Sequence, residues 1–114
     1  MTIAHVPLRE VSYLVLVSLQ DGPLHGYAIL KRLAAGSIGR ATPAAPTLYA
    51  TLDRLAAEGY VAVDREEIVN GRARRYYALT PHGASALRAA ARRLSAAASL
   101  VSGYAPGTSA VATA

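Results

Sequence analysis

The stretch between residues 22 and 79 decides the fold: GPLHGY at 22–27, PTLYATLDRL at 46–55 and NGRARRYYAL at 70–79. Gly22-Pro23 ends an apolar run. The chain from about His25 to Ala35 then reads as a helix, with Ile29, Leu30 and Leu33 inward and Lys31 and Arg32 outward. Gly36 to Ala45 is a loop of small residues. Pro46 opens the next helix, where its missing N–H would be unpaired in any residue. Leu48, Leu52 and Leu55 fall at i, i+4 and i+7 on one face. Gly59 closes the helix as the glycine after its C-cap. Strands Tyr60–Glu67 and Arg74–Leu79 follow, joined through Asn70-Gly71. Helix, helix and a basic-tipped hairpin, in that order, make a winged helix-turn-helix.

The hairpin carries two conflicting signals. Asn70-Gly71 is a strong two-residue turn. That turn pairs Val63 with Ala78 and sets Leu79 on the opposite face from Val61 and Val63. A three-residue loop, Asn70-Gly71-Arg72, pairs Val63 with Leu79 and keeps the apolar residues together. One slip flips every side chain, so burial favours the three-residue loop. It also sets Glu67 opposite Arg75, and makes Tyr77 rather than Tyr76 the core tyrosine.

Working outward, Pro7 to Gln20 reads as a first helix. Leu8, Val11, Val15 and Leu19 recur at helical spacing, and Leu14, Leu16 and Val17 extend the stripe around nearly the whole circumference. A helix apolar all round is buried on more than one side. A second copy of the chain is the simplest cover for the far side. Thr80 as N-cap and Pro81 in the first turn start a last helix. Ala84, Leu87, Ala91, Leu94, Ala98 and Val101 form a thin heptad seam along it. The expected organisation is a winged helix-turn-helix over 1–80, a dimerisation helix over 81–101 and a disordered tail over 102–114. The fold class is mainly α with a small β-hairpin.

The chain has 114 residues, no cysteine and a net charge of +5. That length bounds it to one domain. The missing cysteine excludes disulfides and thiolate metal sites. No basic segment leads into a long apolar run at the start, and Val11–Leu19 is too short to span a bilayer. The chain therefore reads as soluble and cytoplasmic. A pI near 10.0 suits a polyanionic partner. Position is more telling than the total: Arg72, Arg74 and Arg75 gather at the hairpin tip, whereas Asp21, Asp53, Glu58 and Glu67 are scattered. His5, His25 and His82 show no metal-ligand spacing. No nucleophile elbow, phosphate loop or carboxylate pair marks an enzyme. Neither a metal nor a cofactor is expected.

These motifs together resemble the PadR family of bacterial transcriptional regulators. The matching stretches are GPLHGYAI (22–29), TLYATLDRLAAEGYV (47–61) and GRARRYYALTPHG (71–83), within a similarity spanning roughly residues 8–100. A single short C-terminal helix is similar to the smaller subfamily. The resemblance implies a homodimeric repressor, held together by its first and last helices, on a palindromic operator. It also implies that an apolar or aromatic small molecule near the dimer interface can release DNA in some members. Family members often carry a polar cap before the Thr-Leu-Tyr; here Ala44-Ala45-Pro46 stands instead, at a cost of about 1 kcal/mol of helix stability.

The candidate DNA contacts follow. Thr47 and the free N–H groups around it would meet phosphate. Tyr49 would donate to phosphate, Ala50 would touch a thymine methyl, and Arg54 would reach guanine or phosphate. Asp53 repels phosphate, so it either accepts from a cytosine amine or pairs with a neighbouring arginine. Arg72, Arg74 and Arg75 would straddle the phosphates or enter the minor groove, and Tyr27 would reach the backbone. The plainer reading of each is a solvated face, with the wing arginines partnered by Glu66 and Glu67. His25 reads as a turn residue. The expected dimer contacts are Leu8, Val11, Val15, Leu87, Leu94 and Val101. Two other readings stand beside this one: a winged-helix module for a protein partner, and a ligand-sensing multidrug-binding regulator. With no Trp or Phe, a ligand pocket would rely on Tyr13, Tyr104 or aliphatic side chains.

Overall fold

The computed structural model describes residues 8–36 and 42–104. These form α1 (Glu10–Ser18), β1 (Leu24–His25), α2 (Gly26–Ala35), α3 (Ala45–Ala57), β2 (Val61–Val69), β3 (Arg72–Leu79) and α4 (Pro81–Ala98). The expected mainly helical fold with a hairpin is present. The tail from residue 105 and loop residues 37–41 lie outside the described residues.

One core joins every layer. Val15, Leu16 and Leu19 meet Ile29 of α2, Leu48, Leu52 and Leu55 of α3, Val61 and Tyr77 of the sheet, and Ala86 and Leu87 of α4. Each large apolar side chain so buried contributes about 1.5–3 kcal/mol. The leucine stripe of α3 thus faces inward as its spacing demands, which fixes the opposite face outward.

α1 is shorter than the expected Pro7–Gln20. Arg9 is extended at φ −72° and ψ 159°, and its side chain does not cap the helix. Tight bonds then turn the chain at the other end, Leu19 N–H to Leu16 O at 3.1 Å and Gln20 N–H to Val17 O at 3.2 Å. The helix buries Ser12, Val15, Leu16 and Ser18, while Val11, Tyr13, Leu14 and Val17 are half-buried. Ser18 satisfies its buried hydroxyl by donating to Val15 O at 2.6 Å.

The sheet has three strands in the order β1-β3-β2. β1 adds to the expected hairpin; it pairs Leu24 with Tyr77 and His25 with Tyr76. The expected hairpin register is corrected. Val69 pairs with Arg72 across a two-residue turn, and Glu67 faces Arg74, not Arg75. Asn70 (φ 53°) and Gly71 (φ 78°) both adopt the left-handed backbone that this turn requires. The conflict with burial is resolved at the base of the hairpin. A bulge between Val63 and Arg65 shifts the ladder, pairing Val63 with Tyr77 and Val61 with Leu79. An extra residue in one strand re-aims those beyond it, so Val61, Tyr77 and Leu79 share the core face after all.

Thr80 caps α4, accepting from Gly83 N–H at 2.9 Å and donating to Gly59 O at 2.6 Å. Gly83 lies so close to the turn between α3 and β2 that a Cβ there would stand 2.9 Å from the Tyr60 carbonyl carbon. Only the first half of α4 is covered, by way of Gly83, Ala86, Leu87 and Ala90. Residues 91–97 are exposed, and the helix ends at Ala98 with Ser99 as its C-cap, short of Val101. Among the described residues, no helix is long and apolar enough to cross a membrane.

Candidate nucleic-acid interface

The start of α3 is open. Ala44 at the N-cap offers no side-chain acceptor, so the first-turn N–H groups lack the bond that Ser, Thr, Asn or Asp would supply. Opposite the leucine stripe runs an exposed ridge of Pro46, Ala50, Asp53 and Ala57, spaced 4, 3 and 4 residues apart. Three of the four side chains are short and apolar. The helix backbone can therefore approach a groove floor closely.

Tyr49 flanks this ridge and leans on α2. A Cβ placed on Gly26 would fall 2.5 Å from Tyr49 Cε1 and 2.6 Å from Cζ. The glycine of the HGY segment thus makes room for the phenol of α3. Tyr49 is 44% exposed and Tyr27 62%. The Lys31 ammonium lies 5.6 Å from the centroid of the Tyr27 ring.

His25 caps α2, its Nδ1 accepting from Ala28 N–H at 3.2 Å. Its ring meets Tyr76 edge-on at 5.3 Å. Burial, and then the charge of Arg74, hold the imidazole pKa below its ordinary value against an opposing pull from Glu67. Tyr76 donates to Glu67 at 3.0 Å, and the Arg65 guanidinium covers its ring at 3.9 Å. Arg65 also pairs with Asp64 at 3.1 Å and Glu67 at 3.2 Å. Hydrogen bonds from Arg65 and then Tyr76 hold the Glu67 carboxyl below the usual range. This network braces the bulge and ties the base of the wing to the cap of α2.

Between α2, α3 and the wing lies a cleft of about 820 Å³. Tyr27, Tyr49 and Asp53 line one side, and Glu66, Arg72, Arg74 and Arg75 the other. Arg75 is held by Glu66 at 3.0 Å. Among the described residues, Arg72 and Arg74 pair with no carboxylate. The cleft thus presents two guanidiniums outside any ion pair, of which Arg74 stands across the ladder from Glu67, and a third on a solvent-exposed, exchangeable ion pair.

The structure therefore brings Tyr27, Tyr49, Arg72, Arg74 and Arg75 onto one cleft. Thr47 and Ala50 stand exposed on the outer turns of α3. Arg54 is turned away, donating to Ser12 of α1 at 3.1 Å. Of the expected dimer contacts, Val15 and Leu87 lie in the protomer's own core, 0% and 7% exposed. Leu8 and Val11 are half-buried, while Leu94 and Val101 are exposed. Leu100 and Tyr104 extend that exposed apolar end. Among the described residues, no three His, Cys, Asp or Glu side chains gather as a metal site. The sequence did not reveal the capping role of His25, because histidine is not among the preferred N-cap residues. Nor did it reveal the seat of Tyr49 on Gly26, a contact 23 residues apart along the chain.

The chain matches the model of the transcriptional regulator PadR-like family over residues 15–89. It is 42% identical over 67 residues to the transcriptional regulator Rv3488 of Mycobacterium tuberculosis, covering 59% of each chain. Among solved structures, a PadR family regulator from Eggerthella lenta is 31% identical with a TM-score of 0.67, over 76% of this chain and 73% of that one. Bacillus subtilis PadR in complex with operator DNA is 26% identical with a TM-score of 0.65, over 71% of this chain and 47% of that one. The chain thus spans about three-fifths of the mycobacterial relative and about half of the Bacillus protein.

Proposed function

This chain belongs to the PadR-like family of transcriptional regulators, and from that premise we propose that it is a homodimeric repressor that binds a palindromic DNA operator. The observation that carries the reading is the cleft between α3 and the wing. A narrow, uncapped helix forms one wall and unpaired arginines form the rim of the other. That the Bacillus relative was solved in complex with operator DNA supports DNA as the partner.

In this reading α3 enters the major groove. Thr47 and the first-turn N–H groups meet phosphate, and Ala50 touches the groove floor. Tyr27 and Tyr49 donate to the backbone. Arg72, Arg74 and Arg75 follow the flanking phosphates, Arg75 exchanging Glu66 for one of them. Arg54 joins only by giving up its bond to Ser12.

The exposed Leu94 near the end of α4 and Val101 just beyond it support pairing of two copies there, assisted by the half-buried Leu8 and Val11. Two recognition helices would then stand roughly 34 Å apart, one DNA turn. An apolar effector bound at that contact would act by changing this separation. The organisation is a DNA-binding unit to residue 80 followed by the dimerisation helix, in a cytoplasmic protein.

The test is a fluorescence-anisotropy titration against the duplex upstream of the protein's own gene, with scrambled duplex as competitor. It is run at about 50 and about 200 mM salt. Salt-sensitive binding that resists the competitor is expected. Absence of binding to any duplex at the lower salt contradicts the proposal and favours a protein partner for this face.

A further inference from the structure

The outward ridge of α3 holds one side chain with hydrogen-bonding capacity. Pro46, Ala50 and Ala57 offer nothing beyond a methyl or a ring, whereas Asp53 carries an exposed carboxylate in the middle of the ridge. It lines the same cleft as the wing arginines, yet among the described residues it pairs with none of them. Its neighbour Arg54, the nearest cation in sequence, is tied back to Ser12. A bare carboxylate on the surface offered to a polyanion opposes general phosphate binding. It is compatible with tight binding only where it meets a donor.

On the floor of the major groove, the donors are the amino groups of cytosine N4 and adenine N6. Adenine sets an acceptor, N7, beside its amine; cytosine does not. A carboxylate accepts at both oxygens and donates at neither. It is repelled by adenine N7 and by the paired acceptors of guanine, and it suits cytosine. The short neighbours Ala50 and Ala57 let the backbone sink far enough for so short a side chain to reach.

Building on the DNA-binding reading above, we infer that Asp53 is a specificity-determining residue that selects a cytosine in each half-site of the operator. It accepts from the N4 amine and rejects the other bases there.

The experiment is selection from a randomised duplex library by wild-type protein, Asp53→Ala and Asp53→Asn, followed by sequencing. The wild type should enrich a half-site with one position fixed as C·G. Replacing that pair should weaken binding roughly tenfold or more. Asp53→Ala should enrich the same half-site with that single position relaxed. Asp53→Asn should move it towards adenine, which asparagine reads at N6 and N7. If Asp53→Ala returns the wild-type base preferences at every position, the inference is overturned, even if the variant binds all duplexes more tightly. If the wild type enriches no duplex at all, the DNA-binding reading fails and this one with it.

Discussion

The phenol of Tyr49 packs directly against Gly26, joining α3 to the N-terminus of α2 where a methyl group would not fit. Gly26 is buried and Tyr49 half-exposed. The contact therefore seats α3 against α2 beside the cleft that both residues line.

Gly26→Ala should push Tyr49 out of this seat. Overpacking of this kind costs about 1–3 kcal/mol. Thermal melts of Gly26→Ala, Tyr49→Ala and the double variant should show strong coupling, with the double variant no less stable than Tyr49→Ala alone. Additive losses would show that Gly26 and Tyr49 do not share the space described.

The turn at the wing tip depends on left-handed backbone at Asn70 and Gly71. Gly71→Ala should cost about 1–2 kcal/mol, and Asn70→Gly should be tolerated. Denaturant unfolding checks both. Equal stability of Gly71→Ala and wild type would mean that the turn is not the two-residue form.

This hairpin also shows how far the sequence could be read. The presence and order of the helices, the cap at Thr80, the stop at Gly59 and the inward leucine face of α3 were legible, because each rests on residues within one or two turns of one another. The ends of α1 and α4 were not. Nor was the register. Asn70-Gly71 demands one pairing and the apolar face of Val61, Val63 and Leu79 another. The chain satisfies the turn where it occurs and returns Val61 and Leu79 to the core face with an extra residue between Val63 and Arg65, which no local pattern announces. Val63, expected on that face, is left 47% exposed beside the bulge. β1 was illegible for a related reason. Two residues carry no period, and Leu24–His25 is a strand only because β3 lies beside it. The wing arginines and Tyr49, grouped by pattern, do line one cleft, whereas Arg54 reads as outward because nothing in its spacing shows the hydroxyl of Ser12 waiting behind it.

His25 makes the cap of α2 sensitive to acid. The neutral ring accepts from Ala28 N–H; a proton on Nδ1 abolishes that bond. With the folded pKa held below 6.5, the unfolded chain takes up its proton first. Stability is therefore fully present above about 6.5 and falls as the pH drops towards the folded value. Melting points of wild type should decrease from about pH 7.5 to about pH 5.5, and more steeply than those of His25→Asn, whose amide caps without titrating. Parallel decreases would show that His25 is not the source of the acid sensitivity.

Arg72→Ala and Arg74→Ala should each weaken binding to any duplex and reduce the salt dependence. Removing one phosphate contact lowers the slope of log K against log salt by about 0.9. Glu66→Gln should strengthen binding instead, by freeing Arg75 from its ion pair. Anisotropy titrations over a salt series read both effects. Unchanged slopes in the arginine variants would place the wing away from the phosphates.

The most direct test of the central claim is amide chemical-shift mapping of the full chain as duplex DNA is added. Shifts concentrated at residues 25–27, 45–53 and 70–75, with α1 and the exposed end of α4 little changed, are the expected result. Shifts centred on residues 91–104 that leave α3 and the wing tip unmoved would contradict it.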